Sequence, residues 1–174
     1  MSVILLADDS PHAQRMGQRI LAEEGYQVEC VSDGETAVLR LPGVDPDVVI
    51  ADAYLPGRSG LELCRFIKSS RRYVRVILTA GSLEELDEAA AQRAGCDAIL
   101  RKPFEASLMM QALAPLVAAA QHDREAMAAA ANGNAASLAA PPDDIRAAVE
   151  RAVERELPRL IDELTQRVLL ALGH

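Results

Sequence analysis

Five short apolar runs, each followed by polar or turn-forming residues, restrict the folds open to this chain. The stretches between them carry apolar residues at helical spacing. Continuous apolar runs of this length suit strands buried on both faces of a parallel sheet, and their alternation with helices implies right-handed crossovers. We therefore predict an α/β fold with five parallel strands and helices on both faces. The apolar runs lie at residues 3–7, 26–31, 48–51, 74–79 and 98–101.

The predicted helices carry their own start and stop signals. Ser10 and Ser59 are placed to cap the first and third helices. Pro115 is expected to kink or shorten the last helix of the sheet domain. The second, fourth and fifth helices are predicted at residues 33–41, 83–94 and 106–121.

The composition of the 174 residues narrows the class of protein. Half of the residues are hydrophobic but only 3% are aromatic, so the core must be aliphatic. The net charge of −8 argues against a nucleic-acid surface, because phosphate binding needs clustered Lys and Arg. The three cysteines form no CxxC pair and are predicted to be reduced packing residues.

The sequence also predicts where the protein acts. Its first residues lack the basic segment of a signal peptide and meet two carboxylates early. No apolar run reaches the ~20 residues needed to cross a membrane. We therefore expect a soluble cytoplasmic protein.

The chain is predicted to have three parts. Residues 1–121 form the α/β domain, and residues 122–142 form an Ala/Pro-rich linker that is partly helical at its start. Residues 143–174 form an amphipathic helical tail, since apolar residues recur there every three or four positions. An isolated helix of this length is marginal in water, so its apolar face should bind a partner surface, in the same chain or another.

Polar side chains follow four of the predicted strands at the same edge of the sheet. All carboxyl ends of parallel strands lie at one edge, so these side chains should converge there. Close carboxylates repel unless a cation lies between them, and hard oxygen ligands suit Mg²⁺. The predicted set is Asp8, Asp9, Asp52, Thr79 and Lys102.

Each of these residues also has a simpler interpretation. Asp52 could serve merely to end its strand or to cap the next helix, and Asp8 could be an N-cap. Thr79 could be an ordinary β-branched strand residue, and Lys102 a solvated charge before a proline. Their joint spacing along the chain favours a common site.

Residues 1–121 resemble the response-regulator receiver domain of two-component signalling. The resemblance rests on Leu-Leu-Ala-Asp-Asp-Ser, Asp52-Ala-Tyr-Leu-Pro-Gly, Ile-Leu-Thr-Ala-Gly and Lys102-Pro-Phe, in that order. It implies a flavodoxin-like doubly wound sheet with strand order 2-1-3-4-5.

The resemblance implies a role for each matched residue. Asp52 would be the phosphoacceptor, attacking phosphorus of a phosphohistidine on a partner protein. Lys102 would offset charge in the transition state, and Thr79 would move to hydrogen-bond the phosphoryl group. The small side chain of Ala80 would leave room for that movement.

The resemblance also implies a Mg²⁺ ion. Asp9 and Asp52 would bind it directly, together with the main-chain carbonyl of Ala53. Asp8 would act mainly through water.

Two positions depart from the family or modify its site. Ile99 stands three residues before the lysine, where the family often has a Tyr or Phe that turns inward on activation. A switch in this chain must then work through other packing. Tyr54, two residues after the acceptor, should flank the phosphoryl group and could restrict the attacking water.

The function predicted from the sequence is a phosphorylation-dependent signalling switch rather than a classical enzyme. Its partners would be a sensor histidine kinase or phosphotransfer protein and a downstream protein bound at the fourth helix, fifth strand and fifth helix. Output would come from self-association or partner binding through residues 143–174. The alternative is a transcriptional regulator with a minimal DNA-binding tail, although that tail holds seven acids against five arginines.

Overall fold

The computed structural model describes residues 2–137 of the chain, with side chains as far as residue 130. Five strands and five helices alternate along this part of the sequence. In chain order they are β1 (Val3–Ala7), α1 (Pro11–Glu23), β2 (Gln27–Val31), α2 (Gly34–Val44), β3 (Val48–Asp52), α3 (Gly60–Ser70), β4 (Arg75–Gly81), α4 (Glu88–Arg93), β5 (Ala98–Lys102) and α5 (Ala106–Ser137).

The strands form one parallel sheet in the order β2-β1-β3-β4-β5. This confirms the predicted flavodoxin-like doubly wound fold. Strand β3 is central and all five of its residues are buried. Its register pairs Asp52 with Thr79 of β4, which places two of the predicted site residues side by side at the carboxyl edge.

Two aliphatic clusters lie on the two faces of the sheet. One is built around Leu5, Val49 and Leu78, and the other around Ile4, Ile50 and Ile77, all fully or almost fully buried. Successive strand residues point to opposite faces, so each central strand supplies both clusters. The continuous apolar runs in the sequence follow from this double burial.

Capping residues fix the start of the helices beside the site. Ser10 accepts a hydrogen bond from the backbone of Ala13 and begins α1. Ser59 and Glu62 form a reciprocal capping box at α3. Both predicted N-caps are confirmed, and they set the lengths of the loops that follow Asp8 and Asp52.

Two helix boundaries differ from the prediction. Helix α4 begins at Glu88 rather than residue 83, because Asp87 caps it and the preceding residues form a hydrogen-bonded loop. Helix α2 continues through Pro42 to Val44.

Helix α5 also departs from the prediction, since it continues to Ser137 instead of ending at residue 121. Pro115 lies inside it without ending it. The Ala-rich composition after residue 121 favours continued helix, because Ala has the highest helix propensity. The first sixteen residues assigned to the linker are therefore helical in backbone conformation.

The contacts divide the chain into two units, Met1–Ala126 and Met127–His174. The first contains the whole sheet. The rest of the predicted linker and the predicted tail at 143–174 lie outside the described residues.

Two further observations concern the described residues alone. None of their helices is both long and apolar enough to cross a membrane. Cys30, Cys64 and Cys96 are all free, and Cys64 is fully buried in the core. Cys64 and Cys96 pack with the same apolar cluster, as expected for packing residues.

Candidate functional site

Two buried carboxylates and one ammonium group meet at the carboxyl edge of the sheet. The Nζ atom of Lys102 donates to Asp8 Oδ2 at 2.6 Å and to Asp52 Oδ2 at 2.5 Å. These residues come from the ends of β5, β1 and β3, which the strand order places close together. Three of the five predicted site residues are therefore in direct contact.

The second oxygen of each carboxylate is held by the backbone of its own loop. Ser10 N–H donates to Asp8 Oδ1 at 2.9 Å, and Tyr54 N–H donates to Asp52 Oδ1 at 2.8 Å. The simpler interpretation of Asp8 and Asp52 as helix caps does not hold, because Ser10 and Ser59 cap those helices. Both carboxylates are instead oriented toward Lys102.

The burial of the three groups is unequal. The Asp8 and Asp52 side chains are 5% and 11% exposed, whereas that of Lys102 is 28% exposed. Burial opposes the charge on Lys102 and is the largest single influence on its pKa, but hydrogen bonds and attraction to Asp52 and Asp8 together raise that pKa above its ordinary value. Lys102 is therefore a fixed cation at physiological pH.

Thr79 completes the edge on the side of β4. It is 3% exposed, and its carbonyl accepts a hydrogen bond of 2.8 Å from Ala53 N–H. Ala80, the next residue, is fully buried. The structure thus places Thr79 beside Asp52, at the level expected from the sequence.

A glycine brings the backbone close to Asp52. A Cβ atom at Gly60 would lie 2.2 Å from the Asp52 carbonyl oxygen, which no side chain tolerates. Gly60 N–H also donates to the Ala53 carbonyl at 3.1 Å. Gly60 therefore closes the loop that carries Tyr54 against the end of β3.

The predicted metal ligands are placed unevenly. Asp8 and Asp52 converge, but the Asp9 side chain is exposed, and one acceptor position of the Ala53 carbonyl is taken by Gly60 N–H. Within residues 2–130, no group of three or more Asp, Glu, His or Cys side chains is arranged to hold a metal ion. The assignment of Asp9 and of the Ala53 carbonyl stays a prediction.

The chemistry of the converging donors nevertheless fits a hard divalent cation. Asp8 and Asp52 already direct oxygen atoms at a single cationic group, and Mg²⁺ commonly binds through one or two carboxylates while keeping several waters. A carboxylate nucleophile beside a fixed cation is also suited to attack on an anionic, electrophilic group.

Two positions beyond the acidic cluster contact neighbouring elements. Tyr54 is half exposed, and its hydroxyl donates to the Glu85 carbonyl at 2.5 Å. Ile99 is partly buried and packs against the aliphatic cluster. Sequence reasoning missed the contact of Tyr54 with Glu85 and the hydrogen bond of 2.9 Å from Arg101 to the Glu84 carbonyl, because both depend on loop conformation.

Comparison with known proteins gives consistent results. Residues 4–114 match the model of the response regulator receiver domain family. The chain is 36% identical over 101 residues to the transcriptional regulatory protein TcrA of Mycobacterium tuberculosis. That alignment covers 58% of this chain and 40% of the relative's length.

Solved structures support the same relationship. The signal receiver domain of a signal transduction histidine kinase from Syntrophus aciditrophicus is 31% identical, with a TM-score of 0.63 over 68% of this chain and 91% of that one. A response regulator receiver domain protein from Clostridium thermocellum is 25% identical, with a TM-score of 0.62 over 73% and 99% of the two chains. With the sheet order and the acidic edge described above, these matches establish that the chain belongs to the response regulator receiver family.

Proposed function

We propose that this protein is a phosphorylation-dependent switch that accepts a phosphoryl group on Asp52 from a histidine kinase or phosphotransfer protein. The observation that carries the proposal is the Lys102 ammonium held between Asp8 and Asp52. In this arrangement the buried carboxylate of Asp52 lies beside a cation that can attract a phosphoryl group and offset its negative charge. Receiver domains are signalling switches in general, and we do not class this one as an enzyme.

In the proposed reaction, an oxygen of Asp52 attacks phosphorus of the partner's phosphohistidine. A new O–P bond forms while the P–N bond breaks, and the electron pair returns to the imidazole nitrogen, which takes a proton. Lys102 moves its hydrogen bonds toward the phosphoryl oxygens as charge develops there. The hydroxyl of Thr79, which is next to Asp52 in the sheet, donates a hydrogen bond to the transferred group. Slow autodephosphorylation by water resets the switch.

Mg²⁺ is the proposed cofactor. Asp9 and Asp52 would hold it directly, together with the main-chain carbonyl of Ala53. Asp8, whose carboxylate meets the same Lys102 ammonium as Asp52, would act mainly through water. When bound, the ion supplies positive charge that offsets the phosphoryl oxygens. The three free cysteines support action in a reducing compartment, and we propose the cytoplasm.

Phosphorylation by a small acyl phosphate with Mg²⁺ tests the proposal. Wild type should gain one phosphoryl group by intact-protein mass spectrometry, and Asp52→Asn should gain none. Asp47→Asn is the matched control, since Asp47 is an equally buried aspartate at the opposite end of β3. Incorporation into Asp52→Asn at the wild-type level would refute the assignment.

Tyr54 is proposed to lengthen the phosphorylated lifetime by restricting attacking water. Its backbone N–H donates to Asp52, and its half-exposed side chain belongs to the loop that follows Asp52. Loss of phosphate should be faster in Tyr54→Ala than in wild type. Equal rates of loss would reject this role.

The proposed output is self-association or partner binding through residues 143–174. Support comes from the apolar repeat that includes Leu157, Leu160 and Leu164. Light scattering should show a smaller particle for Leu164→Glu than for wild type, whereas Thr165→Glu, off the repeat, should match wild type. A monomer for wild type with and without phosphate would remove the self-association proposal.

A transcriptional output is the second candidate, favoured by the name of the mycobacterial relative. The excess of acids over arginines in residues 143–174 opposes it. Fluorescence anisotropy with mixed-sequence duplex DNA at low salt should show no binding. Saturable binding that falls with added salt would favour this alternative.

A further inference from the structure

The loop between β4 and α4, residues 82–87, is held by residues that adjoin the acidic site. Each hydrogen bond that holds the loop involves a residue in the loop after β3 or at the end of β5. The three hydrogen bonds are Ser82 N–H to the Lys102 carbonyl at 3.0 Å, Arg101 Nη1 to the Glu84 carbonyl at 2.9 Å, and the Tyr54 hydroxyl to the Glu85 carbonyl at 2.5 Å.

Among these holding residues, Lys102 and Tyr54 both touch the carboxylate of Asp52, and of these two Tyr54 is the one that holds the loop with its side chain. Its backbone N–H donates to Asp52 Oδ1 at 2.8 Å, and its side chain donates to the Glu85 carbonyl. Tyr54 thus joins Asp52 to the loop through its side chain, whereas Lys102 contacts the loop only through its backbone carbonyl. The ring is half exposed, so burial does not impose its position and the hydroxyl bond can be made or broken.

We propose that the hydrogen bond from Tyr54 to Glu85 reports the state of Asp52 to residues 82–87. The bond is made while Asp52 is a free carboxylate and is weakened when Asp52 carries a phosphoryl group. This proposal rests on the proposed function, because it takes Asp52 as the acceptor. Tyr54 is a positioning residue here, and the loop it holds leads into α4.

The physical reason lies in the oxygen that accepts Tyr54 N–H. Hydrogen bonds to an ionised carboxylate are roughly twice as strong as neutral ones. Phosphorylation removes the negative charge from that carboxylate and places a bulky anionic phosphoryl group beside it. The Tyr54 backbone must then adjust to a weaker acceptor or to a phosphoryl oxygen. Because hydrogen bonds between oxygens require about 2.5–3.0 Å, a modest movement of the backbone breaks the hydroxyl bond to Glu85.

Ile99, on β5, provides no second link of this kind. An isoleucine cannot donate a hydrogen bond, and Ile99 packs into the aliphatic cluster. Of the three tyrosines, Tyr54 contacts this loop, whereas the Tyr73 hydroxyl donates to Asp45 at the other edge of the sheet. The chain therefore has an aromatic residue connected to the loop from the β3 side.

Hydrogen–deuterium exchange of the unphosphorylated full chain tests the hold itself. The amides of Ser82 and Glu84 are hydrogen-bonded within this region and report its opening. In Tyr54→Phe, they should exchange about three- to tenfold faster than in wild type, the range expected for one lost hydrogen bond. Tyr73→Phe, which loses a hydroxyl bond elsewhere, should leave them unchanged. Equal exchange in wild type and Tyr54→Phe would overturn the proposal.

The same measurement after treatment with an acyl phosphate and Mg²⁺ tests the coupling. Phosphorylated wild type should approach the exchange rate of Tyr54→Phe, and Tyr54→Phe should change much less on phosphorylation. Asp52→Asn should show no response. Phosphorylated wild type with unchanged loop exchange would overturn the coupling alone. Failure to incorporate a phosphoryl group would instead overturn the proposed function, while the first comparison would still decide whether Tyr54 holds the loop.

Discussion

Lys102 and Asp8 are joined by a hydrogen bond of 2.6 Å although 94 residues separate them in the sequence. The parallel sheet makes this contact possible, because it brings the ends of β1 and β5 to one edge on either side of β3. Asp52 shares the same ammonium group. The cation therefore neutralises two buried acids at once, and its removal should affect stability as well as chemistry.

Lys102→Met should lower the free energy of unfolding by about 1–3 kcal/mol, because it leaves two buried carboxylates facing each other without their cation. The expected loss of stability is smaller than for a fully buried ion pair, because Lys102 is partly exposed. Urea unfolding followed by circular dichroism measures the change. Asp8→Asn combined with Lys102→Met should recover part of the loss, since one of the repelling charges is gone. A double variant less stable than the sum of the two single changes would contradict this account.

The contribution of Lys102 should also depend on pH. Its folded-state pKa is raised above the ordinary value of 10.5, so the stabilisation is complete below that value and is lost as pH rises through the raised pKa. The stability difference between wild type and Lys102→Met should stay constant from neutral pH to about pH 10 and shrink above it. Unfolding curves at a series of alkaline pH values check this. A difference that disappears between pH 7 and 9 would be inconsistent with the raised pKa.

Gly60→Ala should destabilise the protein by about 1–3 kcal/mol or more, the cost of forcing extra atoms into a closed space. The added Cβ would lie 2.2 Å from the Asp52 carbonyl oxygen, so the acceptor loop must shift. Phosphorylation by an acyl phosphate should therefore slow as well.

Gly43→Ala is the matched control for that substitution. A Cβ at Gly43, inside α2, meets nothing within 4 Å. This variant should gain up to about 1 kcal/mol, because Ala loses less conformational freedom than Gly in a helix. Comparable losses in the two variants, measured by chemical denaturation, would argue against a specific clash at Gly60.

The sequence was sufficient to predict the sheet and the main members of the site. The five apolar runs mark strands within one or two residues, since each strand is buried on both faces. Asp8, Asp52 and Lys102 meet because each follows or ends a parallel strand. Asp9 could not be placed from this rule, because adjacent side chains at a strand end diverge, so Asp8 is buried while Asp9 is exposed.

Helix boundaries were harder to predict, because contacts distant in sequence decide them. Residues 83–87 have a helical composition, but hydrogen bonds from Tyr54 and Arg101 hold their carbonyls outside a helix. The extension of α5 beyond residue 121 starts from local helix propensity instead. Side chains on the next turn then contact the α/β domain. No short motif in the sequence signals the contacts of the loop, whereas the Ala-rich composition after residue 121 does favour continued helix.

Arg124 is the principal contact between that turn of α5 and the loop before β3. It donates to Asp45 Oδ2 at 2.9 Å and to the Asp45 and Pro46 carbonyls, and it lies 3.2 Å from the buried carboxylate of Asp47. Arg124→Ala should lower the free energy of unfolding by about 1–3 kcal/mol, because Asp47 and two carbonyls lose their donor. Urea denaturation measures the change.

Two further variants separate the anchoring of α5 from a general effect of removing arginine. Arg124→Lys keeps the charge but loses the planar fork, so it should recover only part of the loss. Arg19→Ala removes an exposed pair with Glu23, spaced four residues apart on α1, and should change stability by about 0.5 kcal/mol or less. If Arg124→Ala were as mild as Arg19→Ala, the extended helix would not depend on this contact, and helix propensity alone would have to account for its length.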